Sequence, residues 1–526
     1  MKMIRVLVLC VFTVSTDTGY AYEIQSHTVL SEAAFDDSQL AKDPKLLENL
    51  GVRTTDTFLN TQESNRRTIK ELVGDGARFE DGKGSISIRP LFHFFDPLND
   101  EGLFFFTSPT WALEDKGKIH VLQNNSFLDA RDYLYQGLTS SDGDERKRNF
   151  GKTFESLGRV IHHIQDMAQP QHVRLDTHLN LNLTDEELPF ENRSRYERYT
   201  ERNRTENFFT RHLTPGLYPR VTFPKARSFW HSQEKNPNIG QGIAEFTNVN
   251  FVSQGTNFRG ALQGGGIIAW PNERYPAPVP ANAVPTFHDA NSLLASIGNV
   301  PPAECAPPNN PCIMAFVGTK VTDNYRPQTS GVNDRASTLS IFDQDLALHG
   351  EMVSYPNLDK CTDPADPSTC ERVFTERIFS LNRFNFDAAH KFLIPRAVAY
   401  SAGLIDHFFR VRLDTRYANR TPSGTTGQAA ARIMNTSDQP LDGIFEIYAD
   451  DDSGFRSKLA QLSGVLPAAP TDGSKPPELQ LEFTPPLNLA KGEKPYMLVF
   501  KGRGGEEEAV GGFNLGGSVL AFKDAA

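Results

Sequence analysis

Apolar positions recur at helical spacing through much of this chain and gather into short alternating runs near its end. From His27 to about Leu50, the residues Val29, Leu30, Ala33, Ala34 and Leu40 give helical character. Trp111 to Thr139 and Lys147 to Met167 read as long helices, separated by the turn Ser140-Ser141-Asp142-Gly143-Asp144. Gly242 to Val252 suits a further helix. The strongest late pattern is Ala388 to Leu413, where Phe392, Leu393, Ala397, Tyr400, Leu404, Ile405 and Phe408 form a broad apolar stripe. Pro395 falls inside it, which predicts a kink or a new helix start. The segment Leu381 to Phe386 reads as a loop with aromatic anchors.

Between roughly Ser253 and Arg383 the character changes. Gly and Pro become dense, as in Gly264-Gly265-Gly266 and Pro276-Ala277-Pro278-Val279-Pro280. This predicts an irregular insertion with short strands or hairpins. Thr421 to Thr426 reads as a linker. Beyond it, Ala431 to Met434, Gly443 to Tyr448, Leu479 to Phe483 and Tyr496 to Phe500 are β-type runs bounded by turn residues. The tail resembles a small β-sandwich of the immunoglobulin or fibronectin type. The expected plan is a leader over 1–21, a mainly helical domain over 22–420 carrying the insertion at about 253–383, and a β-sandwich over 421–526.

The start of the chain reads as a secretory signal. Lys2 and Arg5 precede an apolar run from Val6 to Val14, and small residues flank Tyr20 in Gly19-Tyr20-Ala21. That run is too short to span a bilayer, and no later segment is long and apolar enough to do so. A soluble protein, secreted or periplasmic, is expected. Of the five cysteines, Cys10 lies in the leader. Cys305 with Cys312, and Cys361 with Cys370, flank short loops and are expected as disulfides, one of three connectivities. The formal net charge of −11 gives no general attraction for a polyanion, although a local cationic site would still bind one.

The chemistry concentrates in His162-His163-Ile164-Gln165-Asp166-Met167-Ala168-Gln169-Pro170-Gln171-His172. His162 and Asp166 stand four apart, so on a helix they share a face and can grip one cation. Pro170 should bend the chain and return His172 toward that pair. Nitrogen and oxygen ligands held this way suit zinc. His163 lies one step around the helix and reads as structural. The spacing H-x3-D-x3-P-x-H resembles the signature of the zinc-dependent phospholipase C and single-strand-specific nuclease superfamily, closest to bacterial zinc-dependent phospholipases C. The resemblance covers roughly Tyr22 to Glu197.

It implies a helical catalytic domain and a set of ligands. Cleavage after Ala21 would free the Tyr22 amine and carbonyl for zinc, with His27 five positions on. Tyr stands where the superfamily usually has Trp. Asp81 and His93 match the intervening Asp and His by order, with Glu80 competing for the carboxylate. One zinc would take Asp81, His93, His162 and Asp166, and a second Tyr22, His27 and Asp166 as the bridge. A water shared between zincs would attack phosphorus. The superfamily's closing His and Glu correspond to Arg193 and Glu197 in Arg193-Ser194-Arg195-Tyr196-Glu197. Guanidinium cannot ligate zinc. Three arrangements stay open: a third ion held by His172 and Glu197 alone, substitution by Asp176 or His178, or Arg193 itself gripping a phosphate oxygen. Asp81 and Arg193 are the catalytic candidates.

The expected function is a secreted zinc hydrolase, with two or three ions, that cleaves phospholipid head groups. That allows peripheral membrane contact and requires no transmembrane segment. Two other readings stand beside it: a nuclease acting on single-stranded nucleic acid, and a zinc-fold binding protein that has lost its chemistry. No G-x-S-x-G elbow or P-loop suggests a competing reaction.

Overall fold

The computed structural model describes residues 24–81, 89–103, 105–175, 195–232, 242–251, 286–289, 313–318, 321–323, 339–341, 347–362, 370–380, 383–420, 428–486 and 496–515. Within them the helices are α1 (Ile24–Asp37), α2 (Gln39–Lys42), α3 (Pro44–Asn49), α4 (Ile69–Glu80), α5 (Ser108–Leu113), α6 (Phe127–Thr139), α7 (Gly143–Asp166), α8 (Arg195–Arg202), α9 (Asn207–Thr210), α10 (Ile243–Asn250) and α11 (Arg383–Phe408). No helix among the described residues is long and apolar enough to cross a membrane.

The central helix is α7. The Asp142 side chain caps it by accepting from the Glu145 amide at 2.7 Å, so it starts ahead of the predicted Lys147. Its second half is buried on all sides by α1, α4, α6 and α11, whose apolar faces fuse into one core. Where α4 crosses α7 the backbones nearly touch. A Cβ on Gly76 would stand 2.0 Å from the Glu155 carbonyl oxygen, and one on Gly158 would stand 2.2 Å from that of Val73. Only glycine permits that approach.

Three helical expectations are corrected. Trp111 to Thr139 is not one helix: Glu114 turns left-handed (φ 44°), Gly117 follows at φ 97°, and α6 restarts only at the Ser126 cap. The stripe around Ala388 begins earlier, at Arg383, so Arg383 to Phe386 of the expected loop are helical, while Leu381 and Asn382 lie outside the described residues. The helix also continues through Pro395, so no new helix starts there, and it is buried within the core on either side.

The β structure departs further from expectation, and the fold is mixed α/β rather than mainly helical. The insertion contains a four-stranded antiparallel sheet of β3 (Thr286–Asp289), β4 (Ile313–Gly318), β7 (Ala347–Cys361) and β8 (Cys370–Ser380), beside a pair β5 (Val321–Asp323) and β6 (Leu339–Ile341). The expected disulfide stapling is not found: no disulfide is present among the described residues. Cys305 and Cys312 lie outside those residues. Cys361 and Cys370 are register partners at the end of the β7–β8 ladder, so backbone pairing closes the loop between them.

The expected β-sandwich is likewise replaced by two open antiparallel sheets. One has the order β13-β10-β9 and the other β12-β11-β14-β15, where β9 is Leu413–Arg420, β10 Gln428–Asn435, β11 Leu441–Asp450, β12 Arg456–Leu466, β13 Glu478–Phe483, β14 Tyr496–Gly504 and β15 Glu507–Leu515. A free-standing sandwich would turn polar side chains outward on both sheets. Here Tyr448, Met497, Val499 and Val510 instead join the helical core, while Phe445, Leu498 and Phe500 face the cluster shared with Ile433 and Leu481. The four-stranded sheet is thus a middle layer, with α6 on one side. A short hairpin of β1 (Thr57–Leu59) and β2 (Arg66–Thr68) leads into α4.

Two predictions follow from this packing. Replacing Gly158 with Ala forces apart two backbones that cannot yield locally, and should cost about 3 kcal/mol or more in urea unfolding. The second concerns His390 on α11, fully buried among Tyr196, Tyr199 and Phe209. Its Nε2 lies 2.9 Å from Thr200 Oγ1, and burial lowers its pKa to about 3. Below its ordinary value of 6.5 the unfolded chain takes a proton that the folded chain refuses, so stability falls as pH drops toward 3. Relative to a His390→Gln variant, the wild type should lose about 2 kcal/mol more between pH 7 and pH 5, measured by denaturant titration at each pH.

Candidate metal centre

The site forms where the C-terminal ends of α4 and α7 meet the start of α1. The close α4–α7 crossing brings the Ala77 carbonyl to 2.8 Å from His162 Nδ1. That nitrogen therefore carries the proton and donates it, leaving Nε2 directed inward. His162 Nε2 lies 3.2 Å from Asp166 Oδ2 and 3.5 Å from Asp81 Oδ1. Asp81 caps the C-terminus of α4 and is thereby held at the centre. His93 follows a short 3-10 turn at Arg89–Phe92, and its Nδ1 lies 3.1 Å from Asp166 Oδ2 and 3.3 Å from Asp81 Oδ1.

His27 enters from α1. Its ring stacks on His162 at 3.8 Å between centroids, and its Nδ1 lies 2.6 Å from Gln165 Oε1. A donating Nδ1–H there turns Nε2 toward Asp166 Oδ1, 3.6 Å away. Gln165 is itself fixed by donating to Ser31 Oγ at 2.8 Å. α7 ends at Asp166, four residues ahead of Pro170, and the returning chain places His172 Nδ1 4.0 Å from Asp166 Oδ2. His172 Nε2 faces Glu197 Oε1 at 3.1 Å. Gln171 Nε2 donates to that same oxygen at 3.0 Å.

Two groups of donors result, His27 with His162 and Asp166, and Asp81 with His93 and His162; each could hold a metal ion. All of these residues are buried. Asp81 Oδ1 and Asp166 Oδ2 have no hydrogen-bond partner, although buried polar atoms are ordinarily satisfied. Lone pairs that converge without bonding are what a cation would complete, so the donor set fits a metal. The electrostatics agree. Burial raises the Asp81 pKa well above the carboxylate range, and the Asp166 charge adds to it. Asp166 is pushed up by burial too, but His162, His172 and His93 outweigh this and hold it well below. Burial alone would lower His162, yet Asp166 and Asp81 raise it to about 9. His93 falls to about 3, chiefly through burial. Two buried carboxylates cannot both ionise on one imidazolium, and a divalent ion would let them.

A third cluster, Glu80 with His93 and His163, could also coordinate a metal by proximity. Its carboxylate is already engaged. Glu80 accepts from Arg89 Nε and Nη2 at 3.0 and 2.7 Å, from Arg159 Nη1 at 3.2 Å and from Trp111 Nε1 at 3.3 Å. His163 Nε2 lies 3.2 Å away, and its Nδ1 lies 3.1 Å from Ser108 Oγ. Burial pushes the Glu80 pKa up, but Arg89, His163 and Arg159 pull it well below normal. We read this cluster as a saturated ion-pair network.

Of the residues expected from sequence, His27, Asp81, His93, His162, Asp166, His172 and Glu197 are brought together. Tyr22, Arg193, Asp176 and His178 lie outside the described residues. The sequence reading missed Gln165, Gln171 and the Ala77 carbonyl, which orient the imidazoles or their partner. Gln165 had a signal: it is three residues beyond His162 on the same helix.

No protein-family model matches this chain, and no curated protein is similar to it. Among solved structures, the chain has a likeness to "Crystal Structure of DesR, a beta-glucosidase from Streptomyces venezuelae in complex with D-glucose" at 8% identity, covering 20% of this chain and 15% of that chain. Its TM-score of 0.12 carries no argument about fold or function.

The two kinds of cluster predict opposite results on substitution. Asp166→Ala should abolish metal retention while the protein stays folded. Glu80→Gln removes the charge that pairs buried Arg159 and half-buried Arg89 and should cost about 3–5 kcal/mol, yet leave the number of bound ions unchanged. Elemental analysis of dialysed protein, beside urea unfolding, separates them.

Proposed function

We propose that this chain is a zinc-dependent hydrolase of phosphodiester bonds and that it releases the head groups of phospholipids. The observation that carries the reading is the pair of adjoining donor groups that share His162 and are linked by Asp166. Nitrogen and oxygen donors in such a set favour zinc, and two nearby ions are the arrangement suited to in-line displacement at phosphorus. Bound there, zinc would supply Lewis acidity and a water acidified toward neutral pH.

The chain's own residues do the rest. Asp81, His93 and His162 would hold one ion, and His27 with the freed Tyr22 terminus the other, with Asp166 between them. Ala77 and Gln165 keep the imidazoles in the tautomers that present Nε2. His172 and Glu197 would hold a third ion, and Arg193 would meet a phosphate oxygen. The order and spacing of these residues, which resemble the phospholipase C and nuclease superfamily, support the same chemistry.

Two features favour lipid over nucleic acid. The net charge of −11 opposes a long polyanion. On the stretch that carries His93, the side chains of Leu91, Leu98 and Phe105 are exposed, which suits an apolar substrate. The test uses the mature chain loaded with zinc. Choline phosphate release from phosphatidylcholine vesicles should occur and should fall by about 10³-fold or more in Asp166→Asn. Cleavage of single-stranded DNA in place of head-group release would move the proposal to a nuclease, and stoichiometric zinc with neither activity would leave a binding protein.

A further inference from the structure

We propose that Glu201 is a positioning residue for the metal centre: it fixes the start of α1, and through it His27, so that the centre can hold its second ion. The proposal rests on the metal-binding reading above. Glu197 and Glu201 stand four apart on α8, so they share a face, and both are buried. Glu197 reaches His172. One turn further, Glu201 Oε2 accepts from the Ser26 amide at 2.9 Å and from Ser26 Oγ at 2.6 Å. Its other oxygen, Oε1, pairs with Arg204 at 2.8 Å. One helix face therefore registers two separate parts of the centre.

The contact at Ser26 does what a local cap ordinarily does. The first amides of a helix lack intrahelical partners, and a carboxylate there also meets the positive end of the helix dipole. Local caps come from Ser, Thr, Asp or Asn just ahead of the helix. The residues ahead of α1 are Gly19-Tyr20-Ala21-Tyr22-Glu23, with none of these four types. The acceptor comes instead from a residue 175 positions away. Ser26 directly precedes His27, and the Gln165 contact at Nδ1 fixes the rotation of that imidazole. Glu201 thus holds the backbone ahead of His27 while Gln165 and the His162 ring hold the imidazole, and removing the first frees the helix start while leaving the contacts among Asp81, His93 and His162 in place.

Zinc binding to metal-stripped full-length mature protein, followed by isothermal titration and confirmed by elemental analysis, tests this. In Glu201→Ala one ion should bind at least about tenfold more weakly while another keeps its wild-type affinity. Ser26→Ala, which removes only one of the two donors, should weaken the same ion by less, and Glu201→Gln, whose amide oxygen can still accept, should recover part of the loss. Should Glu201→Ala not fold, Ser26→Ala carries the comparison. Wild-type stoichiometry and affinities in both variants would overturn the positioning role, as would equal weakening of every ion, which marks a merely structural contact. A wild type that binds no zinc would overturn the metal-centre reading itself, and the positioning role with it.

Discussion

The near-contact of α4 and α7 is the constraint on which the rest of the centre depends. Helices packed through ordinary side chains keep their axes 8–10 Å apart, a typical spacing. At Gly76 and Gly158 each backbone occupies the place where the other's Cβ would stand. Only this approach lets the Ala77 carbonyl reach His162, and lets Arg159 donate to the Phe79 carbonyl at 2.8 Å. The second bond places a cation at the C-terminus of α4, where the helix dipole favours one. Asp81, the cap residue, is then held beside His162 by backbone geometry. The ligand positions thus follow from two residues that have no side chains.

Two buried carboxylate sites lie side by side in this framework, and they differ in what neutralises them. Glu80 is surrounded by arginines that cannot give up their protons, so its environment is fixed. Asp81 and Asp166 face imidazoles, with only the neutral Gln169 amide added at Asp166 Oδ1, 3.1 Å away. Their shared charge is met by a proton that is held on His162 and can be exchanged. The first arrangement is rigid at any pH a cell experiences. The second is open to replacement of the proton by a metal ion. Proximity of donors alone does not separate the two; the hydrogen-bond inventory of each carboxylate does.

Much of the centre could be read from the chain because its ligands lie in local patterns. His162 and Asp166 share a helix face, and the proline-containing turn that follows returns the chain to His172. The supporting geometry is non-local and left no comparable trace. Gly76 and Gly158 are unremarkable in isolation, and Glu201 acts on a helix far away in sequence. The sheets illustrate a different limit. Tyr496 to Phe500 is apolar without alternation, which marks a strand buried on both faces. Reading it as half of a sandwich supplied a covering layer on one side only, whereas α6 covers the other. An even cysteine count reflects compartment chemistry and does not by itself fix which bonds form. In the insertion, strand pairing closes the loop that a disulfide was expected to close. Glu114 and Gly117 broke the helix expected from Trp111 because apolar periodicity says nothing of a left-handed residue.

The composition of the inner site also ties folding to ligand binding. Its donors arrive from α1, α4, the turn before His93, α7 and α8, so the site exists only in the folded chain. Bringing Asp81 and Asp166 together in a buried space opposes folding, because burial disfavours both charges and each disfavours the other. Protonating Asp81 relieves part of that strain but leaves its Oδ1 unbonded. A cation seated among these atoms would remove the repulsion and satisfy the lone pairs together, and an ion that binds only the folded form stabilises it by mass action. On the metal-centre reading, then, the same buried charges that make the core costly to assemble are what give the folded chain its preference for the ion, and the contacts of Ala77, Gln165 and Glu201 serve to keep that preference at one place.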